Sequence, residues 1–218
     1  MVDYVYMNQM VYDGKADIVK QMTEEALEEG LGAKEILQEG MIAGMSVVGE
    51  DFKWNRLYVP EVLMAARAMK AGMAILKPLL SARDDSINLG TVVMGTVKGD
   101  LHDIGKNLVC MMAESAGFTV HNLGVDTDVD KFKAAAIEYK ADIIGMSALL
   151  TTTMGYMKKV IEDFADDPDL CHIKMCVGGA PISQMYADEI GADGFAADAS
   201  TAVELFKDLY GEMRQHAA

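Results

Sequence analysis

The chain has 218 residues, 51% of them apolar, enough for one large domain or two small ones with a buried core and no need of disulfide or metal staples. A formal net charge of −15 argues against nucleic acid, because a phosphate backbone is held by lysine and arginine and repelled by such a surface. No apolar run approaches the roughly 20 residues of a membrane span, and the opening "MVDYVYMNQMVYDGKADIVK" has no basic segment leading into an apolar one, so neither membrane nor signal segment is expected.

Up to residue 84 the chain is helical in period. A short first helix is predicted near residues 3–12. "ADIVKQMTEEALEEG" places Ile18, Met22 and Leu27 on one stripe with acids opposite, and Gly30 and Gly32 provide a stop. "GAKEILQEGMIAGMSVVGEDF" repeats the design with Ile36, Leu37, Met41, Met45 and Val48, while Gly40 and Gly44 would let another helix approach closely. "VPEVLMAARAMKAGMAILKPLL" begins with Pro60 in its first turn, where the missing N–H costs nothing. Residues 1–84 are therefore expected to form a four-helix bundle.

From residue 85 to 218 short apolar runs alternate with amphipathic segments. Strands are predicted at 90–97, 118–124, 141–148, 172–179 and 192–198, each followed by a helix, at about 103–116, 128–139, 153–165, 181–190 and 200–214. Five strand–helix units in a row predict a five-stranded parallel sheet with helices on both faces, an α/β domain of the flavodoxin or Rossmann-like kind. The polar "SARDDSIN" connection, residues 81–88, is suited to act as a hinge between the two parts. Cys110, Cys171 and Cys176 are an odd number without the spacing of a zinc or redox pair, which points to a reduced, cytoplasmic protein. The 18 methionines fit either adaptable core filler or a surface that repacks against changing partners.

Open parallel sheets bind ligands beyond the carboxyl ends of their strands. "GTVKGDLHDIGKN", residues 95–107, occupies that position after the first strand. It is not a P-loop: five residues separate Gly99 from Gly105, and Asn107 rather than Ser or Thr follows Lys106. No strand is followed by G-x-G-x-x-G either. Two readings of the acids and the histidine stay open on these grounds alone, helix capping by Asp100 or Asp103 with His102 solvated, or a site.

The segment "DLHDIG", Asp100 to Gly105, resembles the D-x-H-x-x-G motif of corrinoid-binding domains in cobalamin-dependent methionine synthase, methyltransferase corrinoid proteins and cobalamin-dependent mutases. "SALLT" from Ser147 is similar to the S-x-L motif, and "VGGAP" with Gly178 and Gly179 to the late G-G turn, in the same order and context. "LYVPEVLMAARAMKAGMAIL" is similar to the last bundle helix of methyl-binding modules, with an aromatic residue, Tyr58, just before P-x-V. Mutase subunits lack this helical cap, so the resemblance implies methyl rather than adenosyl chemistry. It implies a cobalamin or related corrinoid whose cobalt is ligated by His102, with Asp100 as the carboxylate partner of the ring and Ser147 as the hydroxyl that extends a proton relay. Asp103, Gly105, Leu149, Thr151, Gly178 and Gly179 fall on cofactor-binding positions, and Tyr58 on the cap.

Since 218 residues leave no room for a catalytic barrel, the resemblance further implies a carrier that is not catalytic alone. Such a carrier accepts a methyl group on cobalt(I) from a substrate-specific methyltransferase, of the methylamine, methanol, betaine or methoxyaromatic O-demethylase type. It presents the group to a second methyltransferase using tetrahydrofolate or coenzyme M, and depends on a reductive activating protein. A cobalamin-dependent sensor or a corrinoid storage protein would use the same module without turnover.

Overall fold

The structure, a computed structural model, describes residues 2–80 and 89–216. The predicted hinge at residues 81–88 lies outside the described residues. Two compact units are present, one helical at the amino-terminal end and one α/β that begins at Leu89.

The helical unit starts with α1 (Tyr4–Tyr12), which Asp3 caps by accepting the Tyr6 N–H at 3.1 Å. In α2 (Ala16–Glu28) the buried positions are Val19, Met22, Thr23 and Ala26, and the predicted Ile18 and Leu27 lie at the half-buried edges of that face. Apart from Met22 the inward face is small or β-branched, and α2 packs on α5. Thr23 is tolerated there because its hydroxyl donates to the Val19 carbonyl at 2.7 Å.

The third predicted helix is not uniform. It runs as α3 (Ala33–Glu35), a π-helical stretch (Ile36–Ile42) and α4 (Ala43–Lys53). Its buried residues, Ile36, Leu37, Gly40, Met41, Gly44, Met45 and Val48, recur every four positions. On a regular α-helix such a repeat drifts by about 40° each time; the wider i→i+5 turn takes up that lag and keeps one face inward. The two glycines are close-approach sites: a Cβ on Gly40 would lie 2.5 Å from Met7 Sδ, and one on Gly44 2.8 Å from the Asn8 carbonyl oxygen. Helix α5 (Val59–Leu80) completes the unit. Tyr58 stands before its first residue, and the Tyr58 N–H bonds Glu61 Oε2 at 3.0 Å, one half of a capping box.

The α/β unit follows the predicted order: β1 (Thr91–Thr96), α6 (Ile104–Ala116), β2 (Thr119–Asn122), α7 (Val129–Tyr139), β3 (Ile143–Ser147), α8 (Thr151–Ala165), β4 (Lys174–Gly178), α9 (Gln184–Ile190), β5 (Gly194–Ala196) and α10 (Ala199–His216). All pairings are parallel, in the order β2-β1-β3-β4-β5. The chain reverses its direction of winding between β1 and β3, which makes their carboxyl ends the topological switch point. Val93, Ile144, Met146, Val177, Phe132, Val160 and Phe164 belong to the core on one face of the sheet.

Among the described residues eleven methionines are buried, including Met7, Met41, Met94 and Met157, so core filling is their main role. Among the described residues no helix is long and apolar enough to cross a membrane.

Cys110 and Cys176 are buried and Cys171 is exposed. Burial pushes the Cys110 thiol up to about 11 and the Cys176 thiol higher still, whereas the reactive species is the thiolate. Iodoacetamide at pH 8 should therefore modify Cys171 alone in the native protein and all three after unfolding, as read by intact mass.

Candidate functional site

Two loops meet at the switch point: residues 97–103 after β1 and residues 148–150 after β3. Gly99, at φ +84°, gives the first loop a left-handed turn, closed by the Asp100 N–H on the Val97 carbonyl at 3.1 Å. This turn drives Asp100 inward until its side chain is 0% exposed, while the His102 side chain remains 50% exposed.

Asp100 is the hub. Its Oδ1 accepts the His102 backbone N–H at 3.0 Å and pairs with His102 Nδ1 at 2.7 Å. Its Oδ2 accepts the Leu149 N–H at 2.8 Å, the Leu150 N–H at 3.3 Å and the Thr153 hydroxyl at 2.8 Å. Helix α8 has no side-chain cap of its own at Leu150, so the Asp100 carboxylate serves that amino terminus from across the switch point. Burial opposes the charge on Asp100, but the N–H groups of Leu149 and His102, the His102 ring and the Thr153 hydroxyl outweigh it. Together they hold the carboxyl well below the usual carboxylate range.

An ionised Asp100 can only accept, so the ring proton of a neutral His102 sits on Nδ1 and the Nε2 lone pair is left free. Among the described residues nothing bonds to Nε2. The main chain is fixed as well, because the buried Thr96 hydroxyl donates to the His102 carbonyl at 2.9 Å.

The other predicted residues are placed as follows. Asp103 precedes α6 and its carboxylate accepts Asn107 Nδ2 at 2.9 Å. Gly105 lies in the first turn of α6, and a Cβ there would meet nothing within 4 Å. Ser147 ends β3 and bonds through its backbone, its carbonyl accepting the Val97 N–H at 3.0 Å. The side-chain hydroxyl on Asp100 is that of Thr153. Leu149 is tied to Asp100 through its N–H, and its side chain is exposed, as is that of Thr151 at the start of α8. Gly179 has φ +127° and a Cβ there would overlap the Ala148 carbonyl oxygen, while one on Gly178 would lie 3.0 Å from the Ala196 carbonyl oxygen. The packing of β3, β4 and β5 thus requires this pair in its own right. Tyr58 in the helical unit has an exposed ring.

Sequence reasoning missed Thr153. The signal was a hydroxyl in the first turn of the helix after "SALL", where an acceptor beyond the strand ends comes within reach. It also left Lys106 without a role. Its side chain is buried, and Nζ donates to Asn107 Oδ1 at 2.8 Å and Asn122 Oδ1 at 2.6 Å, tying α6 to the end of β2. That burial lowers the Lys106 pKa.

Comparison with known proteins decides what such a site belongs to. Residues 90–206 match the family model of a B12 binding domain, and residues 7–77 match a second model of the same description. A corrinoid protein of Desulfitobacterium hafniense is 43% identical over 208 residues, covering 94% of this chain and 96% of that protein. The chain belongs to the corrinoid proteins of methyltransferase systems.

The dimethylamine corrinoid protein of Methanosarcina barkeri is 46% identical over 195 residues, covering 89% of this chain and 91% of the relative. Among solved structures, the methanol:cobalamin methyltransferase complex MtaBC from Methanosarcina barkeri contains a chain that superposes with a TM-score of 0.83 at 26% identity, covering 96% of this chain and 82% of that one. The residues present fit a corrinoid. Among the described residues no group of three or more His, Cys, Asp or Glu could hold a bare metal ion. A metal carried in a macrocycle would need only one donor from the protein, which the free Nε2 would supply. Leu101 and Ile104 on one side, and Leu149 and Leu150 on the other, are exposed apolar residues flanking the two loops.

Replacing Thr153 by Val removes a donor from a buried anion and should destabilise the α/β unit by about 1–3 kcal/mol. Thr153→Ser should recover most of it; urea unfolding followed by circular dichroism reads the difference.

Proposed function

We propose that this corrinoid protein is a methyl carrier in which His102 Nε2 is the axial protein ligand of the cofactor. The observation that carries the reading is the ring held at Nδ1 by a buried, ionised Asp100, with Nε2 free at an exposed edge. When bound, the corrinoid supplies the cobalt on which the methyl group is carried.

The residues of this chain do the rest. Asp100 orients the imidazole and, remaining a carboxylate, keeps the ring proton on Nδ1 and Nε2 turned to the exposed edge. Thr153 keeps Asp100 ionised; its single hydroxyl proton also has the Leu150 carbonyl within 2.9 Å, so it can turn between two acceptors. Ser147, in the family's S-x-L position, Leu149, Thr151 and the Gly178–Gly179 turn are assigned to the nucleotide tail. Asp103 belongs to the ligand loop. Gly105 is assigned to close approach of the cofactor, since the fold has no other use for a glycine at that position.

Residues 1–84 act as the cap, with Tyr58 before P-x-V at the family's aromatic position, and residues 85–218 as the cofactor domain. The substrate-specific methyltransferase that loads the carrier, of the methylamine or methanol kind named for the relatives, is supported by the similarity to the dimethylamine protein and to the MtaBC complex. A second methyltransferase acting on tetrahydrofolate or coenzyme M, a reductive activating protein and a cytoplasmic setting complete the reading.

Reconstitution with hydroxocobalamin tests it. The cobalt(II) form of the wild type should show the electron paramagnetic resonance splitting of one axial nitrogen, and His102→Ala should lose the protein-ligand signature. Identical spectra would remove His102 from the cobalt. Gly105→Ala should leave the apoprotein as stable, or more so by up to about 1 kcal/mol, and weaken corrinoid retention by about tenfold or more.

A further inference from the structure

The loop that carries His102 is held not only by Asp100 but from outside, by the segment between β2 and α7 (residues 123–128). Asp126 Oδ1 accepts the Gly99 N–H at 2.8 Å, and the Asp126 N–H donates to the Asp100 carbonyl at 3.0 Å. One residue thus grips the Gly99–Asp100 dipeptide by a donor and an acceptor. Beside it, Val97 and Thr127 form an isolated parallel bridge, and the Thr127 N–H donates to the Thr96 carbonyl at 2.9 Å. Asp126 pays for its position with a left-handed backbone, φ +50°, uncommon for a residue other than glycine. Its side chain is exposed and has no place in the core. The two bonds to the ligand loop are what that conformation achieves.

Resting on the reading of His102 as axial ligand, we propose that Asp126 is a positioning residue that sets the height and orientation of the histidine loop and so the balance between ligand-bound and ligand-free histidine. Its chemistry separates into two parts. Asparagine keeps the acceptor oxygen and tolerates the left-handed region. Glycine keeps the backbone conformation at no steric cost but loses the acceptor.

The test compares Asp126→Asn and Asp126→Gly with the wild type, in the cobalamin-loaded protein and in the apoprotein. The ratio of histidine-ligated to histidine-free cobalt(II), read by electron paramagnetic resonance at one fixed pH, should stay within twofold in Asp126→Asn. In Asp126→Gly it should fall by about two- to tenfold, the scale of one lost hydrogen bond. Hydrogen exchange in the apoprotein should show a protected Gly99 amide in the wild type and faster exchange across residues 98–103 in Asp126→Gly, with the remainder of the unit unchanged.

An unchanged ratio and unchanged exchange in Asp126→Gly overturn the proposal, as does an Asp126→Asn variant that loses as much as Asp126→Gly. If Asp126→Gly does not fold, the wild-type Gly99 amide alone decides, and exchange at the rate of an open loop rejects the clamp. If His102→Ala instead leaves the cobalt spectrum unaltered, it is the ligand assignment that falls, while the exchange measurements still judge the clamp.

Discussion

The site depends on one carboxylate buried away from solvent. Asp100 is fully buried yet ionised, because five donors converge on its two oxygens, two from His102 and three from the segment that opens α8. Left without them a buried carboxylate would take up a proton, and a protonated Asp100 could no longer fix the ring tautomer as a pure acceptor. The charge state of Asp100 and the free lone pair of His102 are therefore one property rather than two.

The sheet order creates that convergence. Only at the switch point do the loops of two neighbouring strands, β1 and β3, turn away from one another and leave room for a side chain to reach from one to the start of the other's helix. Asp100 fills that place, capping α8 and holding His102 at once. The Thr96 hydroxyl fixes the His102 carbonyl, and Lys106 with Asn107 and Asn122 ties the helix that follows to the end of β2, so the histidine stands on a hydrogen-bonded base although its ring is half exposed. A side chain held in place before binding avoids the entropy of ordering a mobile loop at that moment.

Much of this was legible in the sequence because period and turn chemistry are local. The five strand–helix units lie where the alternation of apolar runs put them, and D-x-H-x-x-G marked the loop that carries Asp100 and His102. What was not legible depends on distance in space. The π-helical stretch answers a four-residue repeat that reads as an ordinary helix until the face it must keep buried is known. The hydroxyl on Asp100 belongs to Thr153, in the first turn of α8 and six residues beyond Ser147, because reach across the switch point decides the partner and motif spacing does not. That Gly178 and Gly179 are also required by contacts with Ala196 and Ala148 could not be read from the sequence. Lys106 was given no role from the sequence and is buried against two amides.

The central claim, that Asp100 presets His102 with its proton on Nδ1 and its Nε2 lone pair free, is a statement about the apoprotein and can be tested without cofactor. Nitrogen-15 NMR of the imidazole of His102 in selectively labelled apoprotein, near neutral pH, reads it directly. The structure predicts an Nδ1 that carries the proton in a strong hydrogen bond and an Nε2 with the shift of an unprotonated ring nitrogen. A proton resident on Nε2 with Nδ1 bare, or a tautomer mixture like that of free histidine, would contradict it.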